Sequence, residues 1–265
     1  MKNKAFVYPL LILLISLIIY LINPSNGKNQ NIEDESPTSE LTFNYLPTST
    51  TNQVVSHNYY TLSYNENAEQ AEWVAYELKK EHLTKTHRKR PYFIRDKKVK
   101  TKSANYKNYK NSGYNKGHLC PAGDRKFSEV AFIETFLTSN VSPQKKDFNA
   151  GIWNRLEQKT RYWANKERQL YIITGGILND NLPTIGKEKV AVPKYFYKIL
   201  FDYTKPEVKA IAFLIPHQES KEPLYKFVVS IDQIETLTSI DFFPALSDDI
   251  ENNLEANSNY KNWSF

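Results

Sequence analysis

A single cysteine, Cys120, stands in this chain of 265 residues, so no intrachain disulfide can form. The spacings CxxC and HExxH are both absent, which excludes the usual thiolate and zincin zinc sites. Histidine is scarce too, at five residues. With no second histidine near Cys120 beyond His118, a thiol nucleophile lacks a base of its own, and Cys120 reads as a small buried residue. No internal repeat is visible. Aromatics, by contrast, are plentiful: 18 Tyr, 14 Phe and 4 Trp sit within a 40% hydrophobic fraction. That supports one core of ordinary size and excludes a disordered chain.

The N-terminus reads as an address. Lys2 and Lys4 precede an apolar run from Ala5 to Ile22, interrupted by Pro9 and Ser16. Eighteen helical residues span about 27 Å, close to the hydrocarbon thickness of a bilayer. The positive flank keeps the start inside and sends the rest outward. No A-x-A cleavage pattern follows. Residues 1–22 are therefore expected to be either a signal peptide or a transmembrane anchor, with the following domain extracytoplasmic. Residues 23–50, rich in Asn, Ser, Thr, Pro and acids, read as a flexible linker. Residues 51–265 form one domain.

Charge is uneven. The formal net charge is +6, but residues 1–50 hold three lysines and four acids. The remainder, 32 basic and 25 acidic residues, carries +7. Such an excess suits a polyanionic partner, although exported proteins also carry it without one. It concentrates between Lys79 and Lys110, where thirteen Lys or Arg meet only Glu81 and Asp96, interleaved with Tyr92, Phe93, Tyr106 and Tyr109. This block is either a solvated loop or a surface that tracks phosphates.

Tyr59–Tyr64 and Glu72–Leu78 have the aromatic and alternating content of strands. The apolar runs Leu170–Thr174, Tyr197–Phe201, Lys209–Ile215 and Phe227–Ile231 read as buried strands. Helices are expected over Ser128–Thr135 and Asn149–Asn165, the latter from Ile152, Trp153, Leu156, Thr160 and Trp163 at near-helical spacing. Few helices separate the last strands, so the sheet is mostly antiparallel and the class is α+β.

Candidate chemistry concentrates in Gly113–Glu157, which contains GYNKGHLCPAGD, ETFLTSNVSPQ and FNAGIWNRLE. Phosphodiester hydrolysis needs a base active near neutral pH, a role the imidazole of His118 suits. It needs a hard divalent cation, for which the amide oxygen of Asn149 could be the sole direct protein ligand. Glu157 lies eight residues on, about 80° around a regular helix, a gap that water could bridge. The cation of Lys116 could stabilise charge at phosphorus. Each residue alone has an ordinary reading: a structural histidine, an N-cap asparagine, a solvated glutamate.

Together they resemble the DNA/RNA non-specific endonucleases of the ββα-metal class, which include secreted bacterial nucleases and mitochondrial endonuclease G. NKGH at 115–118 corresponds to the family's D-R-G-H signature, Ser139–Gln144 to its SN-x-S-P-Q segment, and Asn149–Glu157 to its N-x-G-x-W-x-x-L-E segment. The resemblance runs from about Tyr59 to the C-terminus, where IDQIE and DFFPAL also look familial. It implies a ββα-metal fold with a mostly antiparallel central sheet flanked by helices. It also implies Mg²⁺, with Mn²⁺ as substitute, and DNA and RNA as partners. His118 would be the general base and Asn149 the direct ligand, with Glu157 holding water on the ion and assisting the leaving group. Lys116 would supply the cation, and Asn140 and Gln144 would position the active-site helix and Asn149. An upstream arginine is implied as well. Arg90 is the best match, with Arg88 and Arg95 as alternatives; Arg88, Arg95, Lys97 and Lys98 are expected along the substrate.

Two departures stand out. Asn115 replaces the signature aspartate, removing a charge that orients neighbours, and Lys116 replaces an arginine, losing a planar bidentate donor. The leading expectation is a metal-dependent endonuclease with little base specificity. The alternative is a non-catalytic nucleic-acid binder with a decayed site. An envelope protein whose basic face meets anionic polymer explains the charge but not the motif spacing.

Overall fold

The computed structural model describes residues 44–204 and 208–265. The apolar run Ala5–Ile22 and most of the linker lie outside the described residues. Among those described, no helix is long and apolar enough to cross a membrane. The last part of the expected linker is bound to the body. Thr48 N–H donates to Asp241 O (2.9 Å), Trp73 Nε1 donates to Thr48 O (2.8 Å), and Thr50 N–H donates to the buried Glu72 carboxylate (3.0 Å). These bonds use backbone groups of Thr48 and Thr50, which side-chain composition does not reveal.

Strands β1 (Val54–Ser56), β2 (Thr61–Asn65) and β3 (Gln70–Lys79) lead into the sheet. A ribbon follows, made of β4 (Tyr114–His118) and β5 (Val141–Lys145), with α1 (Glu129–Glu134) between its strands. One turn, α2 (Lys146–Phe148), leads through a π-wound segment, Asn149–Trp153, into α3 (Asn154–Glu167). Then come β6 (Gln169–Gly176), the short pair β7 (Thr184–Ile185) and β8 (Val190–Ala191), β9 (Tyr195–Asp202), β10 (Lys209–Pro216) and β11 (Val228–Val229). Helices α4 (Ile231–Thr238) and α5 (Asp248–Glu255) close the described chain.

Seven strands form one sheet in the order β1-β2-β3-β6-β9-β10-β11, with every neighbouring pair antiparallel. Both faces are covered, which is why the central strands read as continuous apolar runs rather than as alternation. On β3, Val74, Tyr76 and Leu78 face a core shared with Ile152, Trp153, Leu156 and Trp163 of the helical segment. Trp73 and Ala75 face the opposite core, which α4 closes with Ile231 and Ile234. Alternation along each strand sorts these side chains to the two faces.

One predicted strand is largely absent. Of Phe227–Ile231, only Val228 and Val229 pair with β10. Ser230 accepts the N–H of Gln233 (3.2 Å) and starts α4 at Ile231, so a helix cap ends the apolar run.

Candidate active site

The ribbon and the π-wound segment meet over the sheet and enclose a cleft of about 590 Å³. It is lined by Arg88, Arg90, Lys116, His118, Asn149 and Glu157, together with Lys126 and Asn154. Residues from 69 positions of sequence thus converge through two turns of backbone geometry. On β4, period-two alternation places Lys116 and His118 on the cleft side, with Asn115 and Gly117 between them on the other face. His118 is the last residue of this strand. In the helical segment, Gly151 departs from helical dihedrals (φ −93°, ψ −109°). The wider winding turns both Asn149 and Asn154 toward the cleft, and local π geometry recurs at functional sites.

His118 sits between two phenylalanines, with ring centroids 5.4 Å from Phe93 and 5.2 Å, edge-on, from Phe136. Its Nε2 is shielded from solvent and has no hydrogen-bond partner. Burial, and then the nearby Arg90 charge, push its pKa down to about 3. The ring is therefore neutral at pH 7 and free to accept a proton. Lys116 Nζ lies 5.4 Å from the Phe93 centroid and 5.7 Å from that of Tyr109, a cation–π seat that holds the charge at the rim.

Glu157 lies across the cleft. Burial raises its carboxyl to about 7, opposed by Arg161. The Arg161 guanidinium bridges two acids: Nε donates to Asp124 Oδ1 (2.5 Å) and Nη2 to Glu157 Oε2 (3.3 Å). Asp124, fully buried, also accepts from the Tyr76 hydroxyl (3.0 Å). Sequence reasoning missed Arg161 and Asp124. The available signal was the i, i+4 spacing from Glu157 to Arg161 on one helix face.

The supporting residues act differently from expectation. Asn140 accepts the N–H of Cys120 (2.8 Å) and donates to Cys120 O and Thr135 O (both 3.0 Å). It therefore fixes the chain two residues beyond His118 and makes no bond to the helix. The Gln144 side chain lies against Gly117, where a Cβ would sit 2.0 Å from Oε1, and its buried amide makes no protein hydrogen bond. His217 anchors the ribbon's far end, with Nε2 accepting the N–H of Lys145 (2.7 Å) while Nδ1 contacts Pro193 O (2.8 Å).

Three expected substrate contacts lie away from this cleft. Arg95 forms an ion pair with Glu188 and lines a second cleft. Lys98 Nζ donates to Ser56 O (2.7 Å). Lys97 is exposed and is not among the lining residues. The chain turns at Asp96, whose carboxylate is buried against His57 (2.8 Å) and Ser139 (2.7 Å). That turn separates Arg88 and Arg90 from Lys97 and Lys98, while Arg95, immediately before it, already lines the second cleft.

The profile of the DNA/RNA non-specific endonuclease family matches residues 37–249. The chain belongs to this family. Its relatives include the mitochondrial nuclease EXOG of Danio rerio, 34% identical over 71% of this chain and 60% of the relative. A nuclease of Nostoc sp. is 31% identical over 91% of this chain and 86% of its own length. Human mitochondrial endonuclease G is 30% identical over 72% and 70%. The chain thus spans about 60% of the length of the EXOG relatives it matches. A solved structure of EndoG in complex with its inhibitor EndoGI superposes with a TM-score of 0.69 at 28% identity, covering 74% of this chain and 87% of that one. The β4–β5 ribbon and the helix that follows it have the β–β–α order.

The donors suit a hard divalent ion. The Asn149 side chain makes no protein hydrogen bond among the described residues. Glu157 is a carboxylate that burial penalises and a cation would relieve. Both offer oxygen only, as Mg²⁺ and Mn²⁺ prefer.

Proposed function

We propose that this family member is a metal-dependent endonuclease that hydrolyses phosphodiester bonds of DNA and RNA with little sequence preference. The observation that carries the reading is His118 itself: a neutral imidazole with a shielded, unpartnered Nε2 at the edge of a cationic cleft. Asn149 would hold the ion, with Glu157 and Asn154 close by. Once bound, the ion supplies charge neutralisation at the phosphate and the leaving oxygen. His118 Nε2 takes the proton of the attacking water. Its flanking rings fix the imidazole plane, so little reorganisation accompanies proton transfer. Lys116, Arg88 and Arg90 hold the phosphate oxygens through charge, which reads backbone rather than bases. Arg161 keeps the Glu157 carboxylate oriented, and Asp124 keeps Arg161 in place. The apolar segment Ala5–Ile22 would place this domain outside the cytoplasm, as an anchor or as a cleaved signal.

The test is cleavage of plasmid DNA and of RNA by the full chain. Mg²⁺ or Mn²⁺ should support both, and EDTA should abolish both. Undiminished cleavage after thorough chelation would remove the ion from the mechanism, whereas binding without cleavage in Mg²⁺ would favour a non-catalytic nucleic-acid binder.

A further inference from the structure

On the far side of the sheet, five carboxylates converge between α4, α5 and the loop joining them. The oxygens of Asp232, Glu235 and Glu255 lie within 4.8 Å of one another, as do those of Asp241, Glu251 and Glu255. Glu255 belongs to both groups. It is 7% exposed, and its Oε1 is shielded with no hydrogen-bond partner. Glu251 Oε1 is likewise shielded and unpartnered. The cationic partners a buried acid needs are missing: among the described residues, none of the five takes part in an ion pair. One neutral donor serves the cluster, the N–H of Phe242, which bonds Glu235 Oε1 (2.8 Å). Without a cation, burial and the four neighbouring acids hold the Glu255 carboxyl up at about 8, whereas a bound cation would let it ionise in place.

We propose that this cluster is a binding site for one Ca²⁺ ion, with Glu255 as the central ligand and Glu235 and Glu251 as its nearest companions. Ca²⁺ takes carboxylate oxygens at about 2.3–2.6 Å, so oxygens around one ion stand at most about 5 Å apart, and the oxygens of each triad fall within that reach. Mg²⁺ holds its ligands closer and keeps its waters, and it fits a cage of flexible carboxylates less well. The ion would staple α5 to α4. Through Asp241 it would also fix the chain's entry to the domain, because Asp241 N–H donates to Thr48 Oγ1 (2.8 Å) and Asp241 O accepts Thr48 N–H (2.9 Å). The site is separate from the catalytic cleft and does not depend on the nuclease reading.

The experiment uses the full chain carrying Asn149→Ala, which disables the proposed catalytic ion site, stripped with EDTA and held near pH 8. Added Ca²⁺ should raise Tm by about 5–10 °C at a hundredfold excess over Kd. Equimolar Mg²⁺ should do far less. Adding Glu255→Gln should remove the Ca²⁺-dependent rise, while the Tm in EDTA stays equal or increases because repulsion is relieved. A Tm indifferent to Ca²⁺ up to about 10 mM, or a full rise retained in Glu255→Gln, overturns the proposal. Should Glu255→Gln not fold, the more exposed pair Glu251→Gln and Asp241→Asn serves instead. Loss of calorimetric Ca²⁺ binding supports the site, and intact one-to-one binding overturns it.

Discussion

His118→Ala separates two properties that the wild-type residue combines. The imidazole is neutral at pH 7 and is the base assigned to the attacking water, so its loss should lower kcat by at least the 10²-fold at the low end of general-base contributions. KM should change little, since Arg88, Arg90 and Lys116 remain. The stability effect runs in the opposite direction in acid. The ring's pKa is about 3 in the folded protein against 6.5 when unfolded. Between those values the unfolded chain binds the extra proton, so wild-type stability falls as pH drops from 6.5 toward 3. At about 1.4 kcal/mol per pH unit, the full loss is on the order of 4–5 kcal/mol. The alanine variant lacks this liability. At pH 7 it should be somewhat less stable than wild type, having left a gap between Phe93 and Phe136, yet its acid-unfolding midpoint should be lower. Plasmid cleavage gives kcat, and circular dichroism of the EDTA-treated proteins from pH 7 to 3 gives the crossing. Near-wild-type kcat would refute the base assignment. Parallel acid-unfolding curves would refute the claim that the buried ring is held neutral.

Gly117→Ala drives a Cβ into the buried Gln144 side chain and should cost about 1–3 kcal/mol, seen as a lower Tm, with Gln144→Ala restoring most of it in a double-mutant cycle. Arg161→Ala leaves Asp124 buried without its ion pair. Because the Arg161 side chain is about a quarter exposed, the cost should be nearer 2 kcal/mol than the 3–5 of a fully buried pair, with kcat lowered at least tenfold at saturating Mg²⁺. Replacing Lys107, Lys110 and Lys187, which line the second cleft beside Arg95, should raise KM for long DNA and lower its salt slope by about 0.7–0.9 per lost phosphate contact; an unchanged slope would leave them as solvated surface.

The sheet was legible because its two faces are both covered: Leu170–Thr174, Tyr197–Phe201 and Lys209–Ile215 carry apolar residues at successive positions, a signal that needs no tertiary context. The ribbon was not. Tyr114–His118 contains Asn, Lys and Gly, and Val141–Lys145 contains Ser, Pro and Gln, compositions with weak strand propensity, and the ribbon's ends are tied by Asn140 and His217. The candidate site residues on the ribbon and helix rest on motif spacing, not on periodicity. The basic block, by sequence either a solvated loop or a phosphate-tracking surface, divides between two clefts, Arg88 and Arg90 lining one and Arg95, Lys107 and Lys110 the other. Nothing in local sequence marks Asp96 as buried against His57, 39 positions away.

The two departures from the family signature fall on opposite sides of β4, and that bears on whether the site has decayed. Asn115 is exposed and is not among the residues lining the cleft. Lys116 faces the cleft and keeps its cation seated between Phe93 and Tyr109. Meanwhile the arrangement retains two expensive features: a shielded imidazole nitrogen with no partner, and a carboxyl that burial raises to about 7. An unsatisfied buried polar group costs about 1–3 kcal/mol, a sizeable share of a domain's 5–15 kcal/mol stability. In a protein that only bound nucleic acid, substitutions such as His118→Phe or Glu157→Gln would remove these costs without loss of the cationic rim. Both features, beside Asn149, fit the proposed hydrolase better than a protein that only binds nucleic acid.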